Sequence, residues 1–269
     1  MAALLGLAAL ALVTAVPPPP PPPPAPDCAG TTCGCTQPAL STSAKNVLLV
    51  GDSISMPSPP SPGGYGLIVK ALLENASYTN GTAVSVWHNG GWGNGGQASS
   101  TRKGMNCTSN VTAGNWLDFS GTLDVVHFNF GLHDLVDPRS TEGPEAVNLT
   151  VYNGFLQQIY ARFSARAKHV IWATTTPCPA ACGGKGRSDT AVQLYNKEAL
   201  KALTAAASSA GKTLLVNDLY GAVEQSCGAH YKSCGLQIKN NVHFSPAGRE
   251  FLGQHVSKSI LEALGDDRQ

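Results

Sequence analysis

Asn46-Val47-Leu48-Leu49-Val50-Gly51-Asp52-Ser53-Ile54-Ser55 is the stretch whose reading decides the fold of this chain. Asn46 to Val50 is a short apolar run without polar alternation, the composition of a parallel strand buried on both faces. It stops at a glycine, which permits a sharp turn, and the turn presents a serine. Outward from it, the same kind of run recurs at Ala83 to Trp87, Leu123 to Phe130, His169 to Ala173 and Thr213 to Val216. Between these runs the spacing predicts helices. Tyr65 to Glu74 places Leu67, Ile68, Leu72 and Leu73 on one side, and Val151 to Ala167 keeps Phe155, Ile159 and Phe163 in phase. Ala191 to Ser208 is Ala/Leu-rich, and Pro246 to Leu264 opens on proline and closes before Gly265. Strands alternating with helices predict an α/β fold with a parallel sheet covered on both faces. In such sheets ligands bind at the carboxyl ends of the strands.

The amino-terminal part reads differently. Ala2 to Val16 is one apolar run, shorter than the roughly 20 residues that span a bilayer, and it ends at proline. It reads as the apolar core of a secretory leader over residues 1–16, with Val13 and Ala15 as the small residues of a cleavage site. Residues 17–44 then hold a polyproline II spacer, Pro17 to Pro24, and a cysteine cluster at Cys28, Cys33 and Cys35 that reads as a disulfide knot or a tether to the main domain. The eight cysteines, an even number, favour disulfides in an exported chain, and neighbours in sequence suggest Cys178 with Cys182 and Cys227 with Cys234. Sequons at Asn75, Asn80, Asn106, Asn110 and Asn148 fit a glycosylated surface. The expected location is extracellular. Net charge is +1 with 13% charged residues, so no basic stripe is present to neutralise nucleic-acid phosphates and no polybasic patch to hold a membrane.

Four segments at predicted strand ends carry residues with chemical potential. The first is Gly51-Asp52-Ser53, which taken alone is an ordinary turn or helix N-cap. The second is Trp92-Gly93-Asn94-Gly95-Gly96-Gln97, whose glycines let the backbone approach a ligand and offer an N–H group. The third is Gly131-Leu132-His133-Asp134, where a buried strand runs into polar groups. The fourth is Val242-His243-Phe244-Ser245-Pro246, a histidine on the loop just before the last helix.

Taken in order, these segments resemble the blocks of the SGNH (GDSL-like) hydrolase family over Lys45 to Leu264. The resemblance implies a three-layer, doubly wound fold with a five-stranded parallel sheet of flavodoxin-like type, in a domain spanning residues 45–265. It also implies a serine esterase acting through an acyl-serine intermediate, with no metal or organic cofactor. Carried over, Ser53 is the nucleophile and its backbone N–H one oxyanion donor. Gly96 is the second donor, with Gly95 or Gly91 as alternatives, and His243 is the base. Two positions depart from the family. His133 stands where the family has the oxyanion asparagine, and its ring N–H can still donate. Asn240, three residues before His243, stands where the family has the triad aspartate. A neutral amide orients an imidazole but does not stabilise the imidazolium as a carboxylate does. That leaves open a weakened triad, a dyad whose ring is held by a backbone carbonyl, and a silent site. The expected substrate is a short acyl ester, on a small molecule or a carbohydrate. The alternatives are acyl transfer to a sugar hydroxyl and a catalytically silent glycan-binding protein. Asp52 and Asp134 are expected to bond within their own loops, and Asp218 to cap a helix.

Overall fold

A computed structural model describes residues 35, 37–56, 64–90, 100–109, 115–137, 139, 146–179, 186–228 and 234–266. The expected leader, Cys28, Cys33 and the start of the spacer lie outside these residues. Five parallel strands are described: β1 (Lys45–Val50), β2 (Val84–His88), β3 (Leu123–Phe128), β4 (Ala167–Ala173) and β5 (Leu215–Asn217). Their spatial order is β2-β1-β3-β4-β5, the flavodoxin-like order expected of the doubly wound class. The helices are α1 (Gly66–Leu73), α2 (Thr101–Ser109), α3 (Leu149–Ser164), α4 (Asp189–Ser209), α5 (Leu219–Cys227) and α6 (Pro246–Asp266).

The two-sided burial of β1 explains its unbroken apolar sequence. Val47 and Leu49 point to a core formed with Val69 and Leu73 of α1 and with Leu252, Val256 and Ile260 of α6. Leu48 and Val50 point the other way, to a core formed with Phe155, Ile159 and Phe163 of α3 and with Ala199 and Leu203 of α4. Successive strand side chains alternate faces, so a strand between two helical layers must be apolar at every position. The helix face predicted for α1 needs one correction. Val69 and Leu73, one turn apart, are its buried stripe, whereas Leu67 is 48% exposed.

Two helices escaped the sequence reading. α2 is polar, and its Gly104 sits where a Cβ would lie 2.7 Å from the Phe130 ring. Tertiary contacts hold this helix, since Asp134 accepts from Thr101 at its start and Arg162 donates to Met105 O and Thr108 Oγ1 near its end. α5 begins where Asp218 caps it by accepting from Gly221 N at 3.0 Å, the capping role expected for that aspartate. Asp134, expected to serve its own loop, instead reaches across to the backbone N–H of Thr101 at 3.0 Å.

Two disulfides are described. Cys227–Cys234 matches the pairing expected from proximity, and Cys35–Cys107 ties Cys35, the last cysteine of the cluster, to α2 across 72 residues. Cys178 is also disulfide-bonded, and Cys182 lies outside the described residues. Opening a loop as long as that of Cys35–Cys107 is worth about 4 kcal/mol in the chain-entropy account of cross-links. Replacing both cysteines by alanine should therefore lower the melting temperature by roughly 10 °C. Calorimetry showing no shift would remove the tether from the stability of the domain.

Candidate active site

The carboxyl ends of β1 and β3 are neighbours in the sheet, and the chain leaves each through a turn stitched to the adjacent strand. At the exit of β1, the Asn89 side chain accepts from Gly51 N at 3.1 Å and donates to Gly51 O at 3.3 Å. The turn then closes on Asp52, whose Oδ1 accepts from Ile54 N and whose carbonyl accepts from Ser55 N and Met56 N. Asp52 thus serves its own turn, as its position suggested. Ser53 sits at the crest of this turn, half-buried, while its neighbours Asp52 and Ile54 are buried. At the exit of β3, Asn129 donates through Nδ2 to Ala173 O at 2.8 Å and its backbone N–H donates to Val50 O.

His243 comes to this rim on a pinned loop. Gln237 and Phe244 form an antiparallel bridge, Ile238 N donates to His243 O, and Ser245 N donates to Leu236 O. The Gln237 amide donates to Pro177 O at 2.8 Å, tying the loop to the segment after β4. Gly248 fits because its missing Cβ would lie 2.0 Å from Leu236 O. The result is a short contact between residues 190 positions apart: His243 Nε2 lies 2.9 Å from Ser53 Oγ.

The far side of the imidazole is held by Asn241. Its Oδ1 lies 2.7 Å from His243 Nδ1 and also accepts from the His243 backbone N–H at 3.1 Å. An amide NH₂ could not face that backbone donor, so the oxygen is fixed toward the ring. Nδ1 therefore carries the proton, and the lone pair of Nε2 faces the serine hydroxyl. This is the tautomer that a general base for Ser53 requires.

The residue expected at Nδ1 was Asn240, and the structure corrects that assignment. Asn240 is exposed and holds φ at 57°, so it forms the turn, and the next residue delivers its carboxamide to the histidine. His133 is half-buried on the turn after β3. That turn is anchored by the bonds of Asp134 to Thr101 and by Gly131, whose φ is 154° and whose missing Cβ would lie 2.1 Å from Thr175 Oγ1. His133 thus shares the strand-end rim with Ser53. Gly91, Gly95 and Gly96 lie outside the described residues.

A second serine–histidine pair lies beneath the first. Ser55 Oγ is 2.9 Å from His88 Nε2, and both residues are buried. Here the tautomer is the opposite one. His88 Nδ1 accepts from Gly90 N at 3.1 Å, so Nε2 holds the proton and donates to Ser55 Oγ, which donates to Asp52 O. Burial holds the His88 pKa down to about 3. A ring with no free lone pair toward its serine cannot take the serine proton. Of the two pairs, it is that of Ser53 in which an unprotonated ring nitrogen faces the serine hydroxyl.

No family model matches the chain, and no curated protein matches it. Solved structures do. The acetylxylan esterase Axe2 of Geobacillus stearothermophilus is similar with a TM-score of 0.54 at 19% identity, covering 81% of this chain and 94% of that one. An α/β hydrolase from the metagenome of Lake Arreo, Spain, is similar with a TM-score of 0.56 at 18% identity, covering 81% of this chain and 96% of that one. The acetyl xylan esterase AlAXEase is similar with a TM-score of 0.57 at 15% identity, covering 80% of this chain and 98% of that one. At these identities the likeness is one of fold.

Proposed function

We propose that the chain is a serine hydrolase of the SGNH type that removes short acyl groups, above all acetyl, from carbohydrate. The observation that carries this reading is the 2.9 Å contact of Ser53 Oγ with the unprotonated Nε2 of a histidine whose other nitrogen is fixed. The acetyl xylan esterases among the structural neighbours favour acetyl as the acyl group and a sugar as its carrier.

The reaction follows from the tautomer. Ser53 Oγ attacks the ester carbonyl carbon as its proton passes to His243 Nε2. The oxyanion that forms would take the backbone N–H of Ser53, with the backbone of Gly96 and the His133 ring as further donors. Collapse of the tetrahedral intermediate breaks the bond to the sugar oxygen, which leaves as the alcohol with the proton from Nε2. Water then gives a proton to Nε2 and its oxygen to the acyl carbon. Collapse of this second intermediate breaks the bond to Ser53 Oγ, which takes the proton back from Nε2 as acetic acid leaves and ionises to acetate. Asn241 holds the ring throughout but adds no charge to balance the imidazolium. The same reading extends to the rest of the chain: export by the leader of residues 1–16, a spacer over 17–44, the hydrolase domain over 45–265, and N-glycans on exposed sequons such as Asn75, Asn80 and Asn148.

The test is acetate release from acetylated xylan and from p-nitrophenyl acetate by the purified chain. Release that disappears in Ser53→Ala supports the reading. Release no higher than that variant's background, together with retained sugar binding, would make the chain a silent glycan binder instead.

Asn241→Asp should raise turnover. In trypsin-type proteases an amide in place of the triad carboxylate lowers turnover about 10⁴-fold, largely through the wrong tautomer. Here the amide oxygen already selects the correct tautomer, so only the charge on the imidazolium is missing. The expected gain is about 10- to 100-fold, well short of the full 10⁴. Asn240→Asp should change the rate little, because that side chain belongs to the turn. If instead Asn240→Asp is the activating change, the assignment of Asn241 to Nδ1 is wrong.

A further inference from the structure

The buried pair and its neighbour act on the nucleophile turn from below. His88 and Asn89 are consecutive, at the last residue of β2 and the first beyond it. Asn89 grips Gly51, two residues before Ser53, through both the N–H and the carbonyl of that glycine. His88 grips Ser55, two residues after Ser53, through Nε2. Asn89 N also donates to Leu49 O at 2.9 Å, which fixes its own position against β1. His88 is held in turn by the N–H of Gly90. The turn that carries Ser53 is therefore clamped on both sides of that serine by two adjacent residues at the end of β2. An apolar residue at either position would fill the volume but leave buried polar groups of the turn, Gly51 N–H or the Ser55 hydroxyl, without these partners. Both residues are about as buried as the core, Asn89 at 2% exposure and His88 at 1%.

We infer that His88 and Asn89 are positioning residues for Ser53, setting the place of its Oγ against His243 Nε2 from the end of β2. The inference rests on the reading of Ser53 as the nucleophile. Neither residue touches the reacting atoms. Their effect passes through the backbone of Gly51 and the hydroxyl of Ser55. A displacement of the order of 1 Å in a reacting group costs about 100-fold in rate. Loss of either clamp should therefore appear in kcat, while KM, which reports substrate contacts elsewhere on the rim, stays nearly constant.

The variants are Asn89→Ala, His88→Phe and His88→Gln, each compared with wild type for kcat, KM, circular dichroism and the rate of inactivation by an organophosphorus fluoridate. Asn89→Ala and His88→Phe are expected to lower kcat by about 10- to 100-fold. The inactivation rate should fall by a like factor and KM should stay within about threefold. His88→Gln returns an amide donor to Ser55 and should recover part of the loss. Should Asn89→Ala fail to fold, Asn89→Asp keeps the shape and the acceptor for Gly51 N while losing the donor to Gly51 O, and carries the same expectation. Folded variants with kcat and inactivation rate within twofold of wild type would reduce His88 and Asn89 to core residues. That outcome is distinct from failure of the nucleophile reading, which would appear as ester turnover surviving in Ser53→Ala.

Discussion

Ser53→Ala is expected to lower ester turnover by about 10⁴-fold or more, with the folded state unchanged. The side chain is half-buried at the crest of its turn, and the change removes one oxygen from a position that the core does not fill. The turn itself is held by Asp52, Ser55 and Asn89, none of which depends on the Ser53 hydroxyl. Stability should move by no more than about 0.5 kcal/mol, the usual range for a change outside the packed interior. On the proposed mechanism, what is lost is the atom that forms the acyl bond. The residual rate is the part due to substrate binding and the oxyanion donors, which survive the substitution. Turnover, circular dichroism and melting temperature measured on the same preparation separate loss of chemistry from loss of fold.

His243→Gln is expected to have nearly as large an effect, about 10³- to 10⁴-fold on kcat/KM, and to change the shape of the pH profile as well. In the wild type the rate should rise with pH as the imidazole loses its proton, since only the neutral ring offers Nε2 to Ser53. Glutamine preserves a polar side chain on the same loop but cannot accept and return a proton. The rise attributable to imidazole should vanish, leaving at most a slope from hydroxide. The loop should survive, because its hairpin is made by the backbone of Ile238, Leu236 and Ser245 and by the Gln237 side chain. A variant with the wild-type pH profile would mean that another group acts as base.

The sheet was legible because its cause is local. Apolar runs such as Asn46 to Val50 carry their burial in their composition, and each of the five predicted runs became a strand with ends shifted by a few residues. β3 stops at Phe128 rather than Phe130 because Asn129 turns its amide to β4 and Phe130 gives its carbonyl to the Tyr152 hydroxyl. α2 was hidden for the converse reason. Thr101 to Ser109 has weak intrinsic helicity, and the groups that fold it, Asp134, Cys35 and Arg162, come from far along the chain.

The site divides in the same way. Ser53 and His243 were readable because each follows a strand or precedes a helix in a recognisable frame, and the fold brings them together. The partner of Nδ1 was placed one residue early. Counting back from His243 cannot reveal that Asn240 enters the left-handed region and hands the contact to Asn241. The pair Ser55 and His88, and the clamp by Asn89, left no trace in the linear sequence. They exist only through the register of β1 against β2, which sets Leu49 beside His88.

The most direct measurement of the central claim is covalent. The intact chain, treated with an organophosphorus fluoridate and analysed by mass spectrometry after proteolysis, should carry one adduct, on the peptide containing Ser53. The adduct should be absent from Ser53→Ala and form far more slowly in His243→Gln. A chain that hydrolyses acetyl esters yet takes the adduct on Ser55 or any other residue, or takes none while its turnover persists, would contradict the assignment of Ser53 and His243 as nucleophile and base.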